Sequence, residues 1–309
     1  GGLDNESVAL APQAGESVSA GALCPAASPV KSYDLSAINV EITLNGYHDF
    51  FPGYMYVLTE NIGKIRAEEK KNEAARKKEA DPGAITSGLS GDVAIQPLVI
   101  RANQGDCLRI TLANKGDDED VGLHVHGSSL LVKATGAPAT QTNPDTVLKP
   151  GKGQSFEWYV KPDTQEGARQ FHSHTRDQSS LGLMGVLVVE PNGSVYLDPH
   201  TGGDLKSGWL AMIADPSGPD FREFVVVYSE AGNEETRPLN KKEDMIPQRD
   251  TFSDNYRPSS RLVNYRSESF FNRMVIQQKK FGFEDESMGY SAYTFGDVAT
   301  PVPRAFTRS

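Results

Sequence analysis

Four of the six histidines in this 309-residue chain fall into two His-x-His pairs. They stand in Leu123-His124-Val125-His126-Gly127 and in Phe171-His172-Ser173-His174-Thr175. Both stretches lie in apolar, β-prone sequence, Val121 to Leu131 around the first and Leu181 to Val189 after the second. Along a strand, residues i and i+2 point to the same face, so each pair directs two imidazoles at one spot. Neutral imidazole is a ligand for copper, zinc, iron and nickel. One such pair alone reads as a surface feature. Two pairs holding four of six histidines read as a metal site built from His124, His126, His172 and His174.

The elements that must present these side chains are strands. Glycine and proline are frequent (29 and 19) and long apolar helical periods are missing, which is the composition of an all-β fold. Asp34 to Leu44 is predicted as a strand from the alternation of Ile38, Val40, Ile42 and Leu44. Further strands are predicted at Met55 to Leu58, Ala94 to Arg101, Asp106 to Asn114, Val121 to Val132, Gln154 to Val160 and Gly182 to Glu190. With turn signals such as Pro150-Gly151-Lys152-Gly153 between them, seven to nine short strands make a β-sandwich pattern. One segment breaks it. Lys64 to Ala80 is charged and helical, stops at Asp81-Pro82-Gly83, and carries the spaced pairs Glu73 with Lys77 and Glu68 with Lys71. It reads as a solvated helix inserted between strands, at about residues 63–82.

Four regions follow. Residues 1–32 are an extended segment rich in Ala, Gly, Ser and Pro, expected to have no fold of its own and to lie against a partner surface. Residues 33–191 form the sandwich. Residues 192–220 are a Gly/Asp/Pro-rich connector containing Trp209-Leu210-Ala211-Met212-Ile213. Residues 221–309 open with a strand at Phe221 to Tyr228 but then offer too few strands to close a core, so a second domain is expected to be incomplete.

Composition excludes some functions. A net charge of −10 and a pI near 5.2 disfavour nucleic acid as a partner. No run of 18 apolar residues spans a membrane. The chain starts at Gly1 without a charged-then-apolar leader, so any targeting signal is expected to have been removed. Two cysteines are too few for a disulfide framework. Cys24 and Cys107 either pair in an oxidising compartment, or Cys107 is a small buried hydrophobe on its strand.

Several words beside the histidines carry a family likeness: Pro97-Leu98-Val99-Ile100-Arg101-Ala102-Asn103, Gly105-Asp106-Cys107-Leu108-Arg109-Ile110, His-x-His-Gly at 124–127, and His-Ser-His followed by Gln178 and Gly182-Leu183. Over roughly residues 33–191, and more loosely through Asn264-Tyr265-Arg266 and Phe295-Gly296-Asp297, the chain resembles the amino-terminal part of multicopper oxidases. The likeness is strongest to the large bacterial, multi-domain, manganese-oxidase-like members. The resemblance implies a cupredoxin-like Greek-key β-sandwich with a charged helical insertion, followed by the incomplete start of a second cupredoxin domain. It implies that His124 ligates the type 2 copper and that His126, His172 and His174 ligate the type 3 pair. Together these coppers form the trinuclear cluster that reduces dioxygen to water, with electrons from one-electron reductants such as Mn(II), other metal ions or phenols.

The same resemblance carries two negatives. Where a type 1 copper would need Cys, His and Met, this chain has Ser173, Gln178 and Leu183, and Met184, one position late, is expected in the core. A trinuclear cluster takes eight imidazoles in the family, and the whole chain has six. His48 and His200 carry no matching context and read as loop histidines. The other four ligands and the type 1 copper are therefore expected from companion chains bearing further cupredoxin domains, in an extracytoplasmic, heteromeric assembly. Family members often place Asp-Gly after the first pair to deliver protons; here Thr135-Gly136 stands there, leaving Asp117, Asp145 and Asp177 as substitutes or as ordinary loop carboxylates. The alternative is a non-catalytic copper-binding or structural subunit. A cupin is disfavoured because residues 129–131 are Ser-Leu-Leu, a copper nitrite reductase because position 173 is Ser, and a zinc hydrolase because no carboxylate ligand is marked.

Overall fold

Along Cys107–Asn114 the side chains of Leu108, Ile110 and Leu112 are buried while Arg109 and Thr111 are exposed, the period of two that puts one face of a strand against a core. The computed structural model describes residues 23–44, 50–77, 94–117, 119–126, 130–134, 147–175, 178–179, 181–230 and 261–266. Its strands and α-helix through the sandwich are β1 (Val30–Thr43), β2 (Phe50–Leu58), α1 (Ile62–Lys77), β3 (Leu98–Asn103), β4 (Cys107–Asn114), β5 (His124–Val125), β6 (Leu130–Ala134), β7 (Gly153–Val160), β8 (Gly167–His172) and β9 (Met184–Glu190). The chain crosses repeatedly between two sheets. One has the order β2-β1-β4-β7-β6 and the other β3-β9-β8-β5. The pairs β1–β4 and β3–β9 are parallel and the rest antiparallel. The fold is all-β and cupredoxin-like, as expected, with nine strands in the sandwich among the described residues.

Between the sheets, Leu35, Ile110, Leu112, Phe156 and Trp158 of the first meet Ile100, Ala102, Val125, Phe171, Leu187 and Val189 of the second. Trp158 and Phe171 are both fully buried, their ring centroids 6.2 Å apart. Losing either ring would cost about 3–5 kcal/mol.

The strand predicted from Ile38, Val40, Ile42 and Leu44 exists, but those residues do not face this core. Tyr33, Leu35 and Ala37 do, while the predicted row packs with Met55, Val57 and Ile65 of α1. The charged helix is thus no freely solvated insertion. It buries Ile65, Glu68 and Asn72, which lie on one helical face, against the outside of the first sheet. Two of those three residues are polar, which is why the sequence conceals the face. Arg66 and Glu69 form an exposed pair at 2.7 Å. The predicted helix stop at Asp81-Pro82-Gly83 lies outside the described residues.

Beyond the sandwich come β10 (Val195–Leu197), β11 (Leu210–Ala214), β12 (Phe221–Phe224), β13 (Tyr228–Glu230) and β14 (Arg261–Val263). Phe221–Phe224, expected to open a second domain, pairs with β11, a strand inside the expected connector. Trp209, Val225 and Val227 then cover Val99, Val186 and Val188, the outward row of the second sheet. The buried Arg101 donates to Glu223 and, at 3.0 Å, to the carbonyl of Gly208.

A short segment after β14 reaches back into the sandwich. Arg266 is buried and donates at 2.8 Å to the carbonyls of Thr43 and Ile95, with Glu68 at 3.7 Å. Burial pushes the Glu68 carboxyl up from its ordinary value, and the N–H of Ala94 and the charge of Arg266 oppose that. Tyr265 donates to the carbonyl of Gly182.

Of the two readings for the cysteines, pairing holds. Cys24 and Cys107 are joined, with Cα atoms 5.8 Å apart, which anchors the end of the extended amino-terminal segment to β4. Residues 1–22 lie outside the described residues. No helix among the described residues is long and apolar enough to cross a membrane.

Candidate metal centre

His124 and His172 are direct partners in the antiparallel pairing of β5 with β8, and Val125 is opposite Phe171. Val125 and Phe171 point into the core between the sheets. Their neighbours at 124 and 172 must therefore point the other way, onto the outer face of the second sheet. The N–H of His126 donates to the carbonyl of Gln170 at 2.8 Å, which carries the pairing one step past β5. His174 lies beyond the end of β8, where the N–H of Ser173 donates to the carbonyl of Leu183 at 3.4 Å.

The four imidazoles come together. Ring centroids are 3.9 Å apart for His124 and His174, 4.8 Å for His126 and His172, and 4.9 Å for both His124–His126 and His172–His174. The longest of these contacts, His124 to His172, is 5.7 Å. Ring nitrogens of His124, His126 and His174 lie within 4.8 Å of one another. His124 is buried, His126 and His172 are half-buried and His174 is exposed, so the cluster opens to solvent on one side.

Tautomer follows from the partners. His172 Nδ1 is 2.9 Å from the carbonyl oxygen of Ser173, which can only accept, so Nδ1 carries the proton. The lone pair of His172 is then on Nε2, which lies 2.6 Å from His126 Nε2. The two ring nitrogens are thus directed at one point, where a bound cation could be held between them. A nitrogen-only set of neutral imidazoles suits copper. The residues present fit it.

The three positions at which the resemblance would look for type 1 copper ligands are otherwise engaged in the fold. Ser173 and Gln178 are buried and hydrogen-bonded, and Leu183 is in the main core. Both cysteines of the chain are consumed in the disulfide, so no thiolate is available. The same bond disqualifies the grouping of Cys24, Cys107 and Glu157 as a metal site. Met184 packs with Ile38, Val40 and Met55, as expected. His200 sits exposed in a turn, its N–H donating to Asp198 at 2.7 Å. Asp117 is exposed, its N–H donating to Asn39 at 2.9 Å. His48, Thr135-Gly136, Asp145 and Asp177 lie outside the described residues.

Some supports of the site carried no sequence signal. Tyr56, on β2, donates to the carbonyl of Gly122 at 2.6 Å and packs on Phe171 with centroids 5.5 Å apart. Burial, and then Tyr265, push its phenol well above the ordinary value, so it remains a donor.

Comparison with known proteins bears on the same stretch. The chain is 29% identical over 103 residues to the iron transport multicopper oxidase FET3 of Kluyveromyces lactis, covering 32% of this chain and 15% of that protein. It is 32% identical over 108 residues to the L-ascorbate oxidase of Cucumis sativus, covering 35% and 17%. The chain thus spans less than a fifth of either relative's length. A laccase structure from Botrytis aclada matches at 20% identity over 53% of this chain and 23% of its own, with a TM-score of 0.34. The part of this chain that carries both histidine pairs, residues 91–194, matches the family of the multicopper oxidases.

Proposed function

We propose that the chain supplies part of a trinuclear copper cluster in a multicopper oxidase, with His124 on the type 2 copper and His126, His172 and His174 on the type 3 pair. The observation that carries this reading is the convergence of four imidazoles, from two segments, onto one outer sheet face. Copper bound there supplies the redox centre for reducing dioxygen to water. The chain's own residues orient the ligands. The carbonyl of Ser173 holds the His172 tautomer, and the β5–β8 ladder sets the separation of His124 from His172.

The remaining imidazoles and the type 1 copper come from companion cupredoxin domains that dock on this open face. The lack of a free thiol among this chain's cysteines supports that dependence. The reductant is Mn(II), another metal ion such as Fe(II), or a phenol, and it meets the type 1 copper rather than this chain. The disulfide supports an extracytoplasmic location.

The test is copper binding by the chain, followed by oxygen consumption of the completed enzyme. His124→Ala and His172→Ala should abolish oxygen consumption and weaken copper uptake while the far-ultraviolet spectrum stays that of the parent. Full activity in either variant would remove the ligand assignment. An intense blue band from the chain alone would show a type 1 centre that this reading denies. Copper uptake by the chain without any oxygen reduction in the assembly would favour a non-catalytic, copper-binding or structural role.

A further inference from the structure

Ser173, Thr175 and Gln178 form a closed set of hydrogen bonds between the two histidine-bearing segments, and the atoms themselves dictate its proton order. Gln178 Oε1 has no hydrogen, so Thr175 Oγ1 donates to it. That uses the single hydroxyl hydrogen of Thr175. In the 2.5 Å contact between Ser173 Oγ and Thr175 Oγ1, Ser173 is therefore the donor. Ser173 Oγ in turn accepts from the N–H of Gly122 at 2.9 Å and from the N–H of Thr175 at 3.2 Å. Gln178 Nε2 donates to the carbonyl of Asp120. Turning the Gln178 amide over would set two acceptors face to face at Asp120, so its orientation is determined too. The result runs from residues 120–122 through 173–175 to 178 and back.

This set stands where the β-ladder has stopped. The pairing of β5 with β8 ends at His124 and His172, and His174 lies past it. His124 is two residues after Gly122, and His174 is flanked by Ser173 and Thr175. Their rings have the shortest centroid separation among the four histidines, 3.9 Å. Ser173 and Gln178 are 3% and 1% exposed, so water cannot readily replace a lost partner.

We propose that Ser173, Thr175 and Gln178 are positioning residues whose hydrogen-bonded ring sets the separation of His124 from His174, and with it the geometry in which those imidazoles receive copper. The proposal rests on the copper reading above. Ser173 acts twice, through its hydroxyl on Gly122 and through its carbonyl on His172. The ring needs all three members, because each hydroxyl hydrogen is already committed.

Thr175→Val keeps the shape of the side chain and removes the hydroxyl, and Thr175→Ser restores it. In the 309-residue chain, titrated with Cu(II) alone, Thr175→Val should lower copper affinity about 10- to 100-fold. It should also change the Cu(II) paramagnetic resonance spectrum and, without metal, speed hydrogen exchange at the Gly122 amide. Thr175→Ser should return all three toward the parent. If Thr175→Val proves unfolded, Gln178→Met gives the same three readouts with side-chain length preserved. Parent-like affinity, spectrum and exchange in the folded variant would overturn the positioning role and leave the copper reading standing. A parent chain that takes up no more Cu(II) than His124→Ala would overturn the copper reading and the proposal with it.

Discussion

His126 and His172, 46 residues apart in sequence, meet with their Nε2 atoms 2.6 Å from each other. Their meeting depends on where β8 lies, and β8 is held from behind. Phe171 is paired with Gly185 of β9, and the Phe171 ring fills the space a side chain at 185 would need.

A Cβ at position 185 would lie 2.7 Å from the carbonyl oxygen of Leu98 and 2.5 Å from Phe171 Cε2, with Phe171 Cζ nearer still. Neither neighbour can yield easily, since one is backbone and the other a fully buried ring. Gly185→Ala should therefore cost roughly 1–3 kcal/mol of stability. Because His172 adjoins Phe171, it should also weaken copper uptake. Denaturant unfolding and a copper titration check both. A variant with the parent's midpoint and affinity would show that β8 is positioned by something else.

Stability should fall with rising pH through one identifiable group. Burial pushes the Glu190 carboxyl up to about 8, and the hydrogen bond and charge of Glu223 add to the shift while Arg101 opposes it. In the unfolded chain the group returns to 4.5. Between those values the folded state keeps a proton that the unfolded state has released. The contribution is thus fully present below pH 4.5 and is lost as the pH rises through 8. Glu190→Gln should flatten this slope and be more stable than the parent at pH 9. Urea midpoints measured at pH 5, 7 and 9 check it; an unchanged slope would remove Glu190 as the cause.

Arg266 ties three distant places together, and cutting it should be felt at all of them. Arg266→Met strands the Glu68 carboxylate and the carbonyls of Thr43 and Ile95. A loss of about 3–5 kcal/mol is expected for breaking such a buried pair from one side. The double variant Arg266→Met, Glu68→Leu should recover part of it, because both charges are gone. A double-mutant cycle in denaturant gives the coupling, and additive effects would mean the two side chains do not interact.

The disulfide closes a loop of 83 residues. Cys24→Ser, or reduction, should lower stability by about 4 kcal/mol if the bond acts mainly on the unfolded chain. The visible consequence is a lower thermal midpoint with an unchanged far-ultraviolet spectrum. No shift on reduction would mean that the amino-terminal anchor contributes little.

The strands of the sandwich were legible because a buried sheet face imposes a period of two, as Leu108, Ile110 and Leu112 show. The four converging histidines were legible because histidine is scarce in this chain, and spacing of two on a strand turns each pair to one side. Which face of β1 meets the inter-sheet core was not legible, for a physical reason. Ile38, Val40 and Ile42 alternate as a core row would, yet what covers them is a helix whose buried face is Ile65, Glu68 and Asn72. A polar buried face has no hydrophobic period to detect. Likewise Phe221–Phe224 reads as a strand in any setting, and its partner is not encoded locally.

The amino-acid order alone pointed to the all-β class and singled out the four histidines whose rings converge, because both depend on residue type and near spacing. That Cys24 meets Cys107, that Arg266 reaches Glu68, and that Ser173, Thr175 and Gln178 join the two histidine segments is visible only in the folded chain. Those contacts link residues whose chemistry is common and whose separations in the chain carry no period, so they exist only once the strands have brought them within hydrogen-bonding reach.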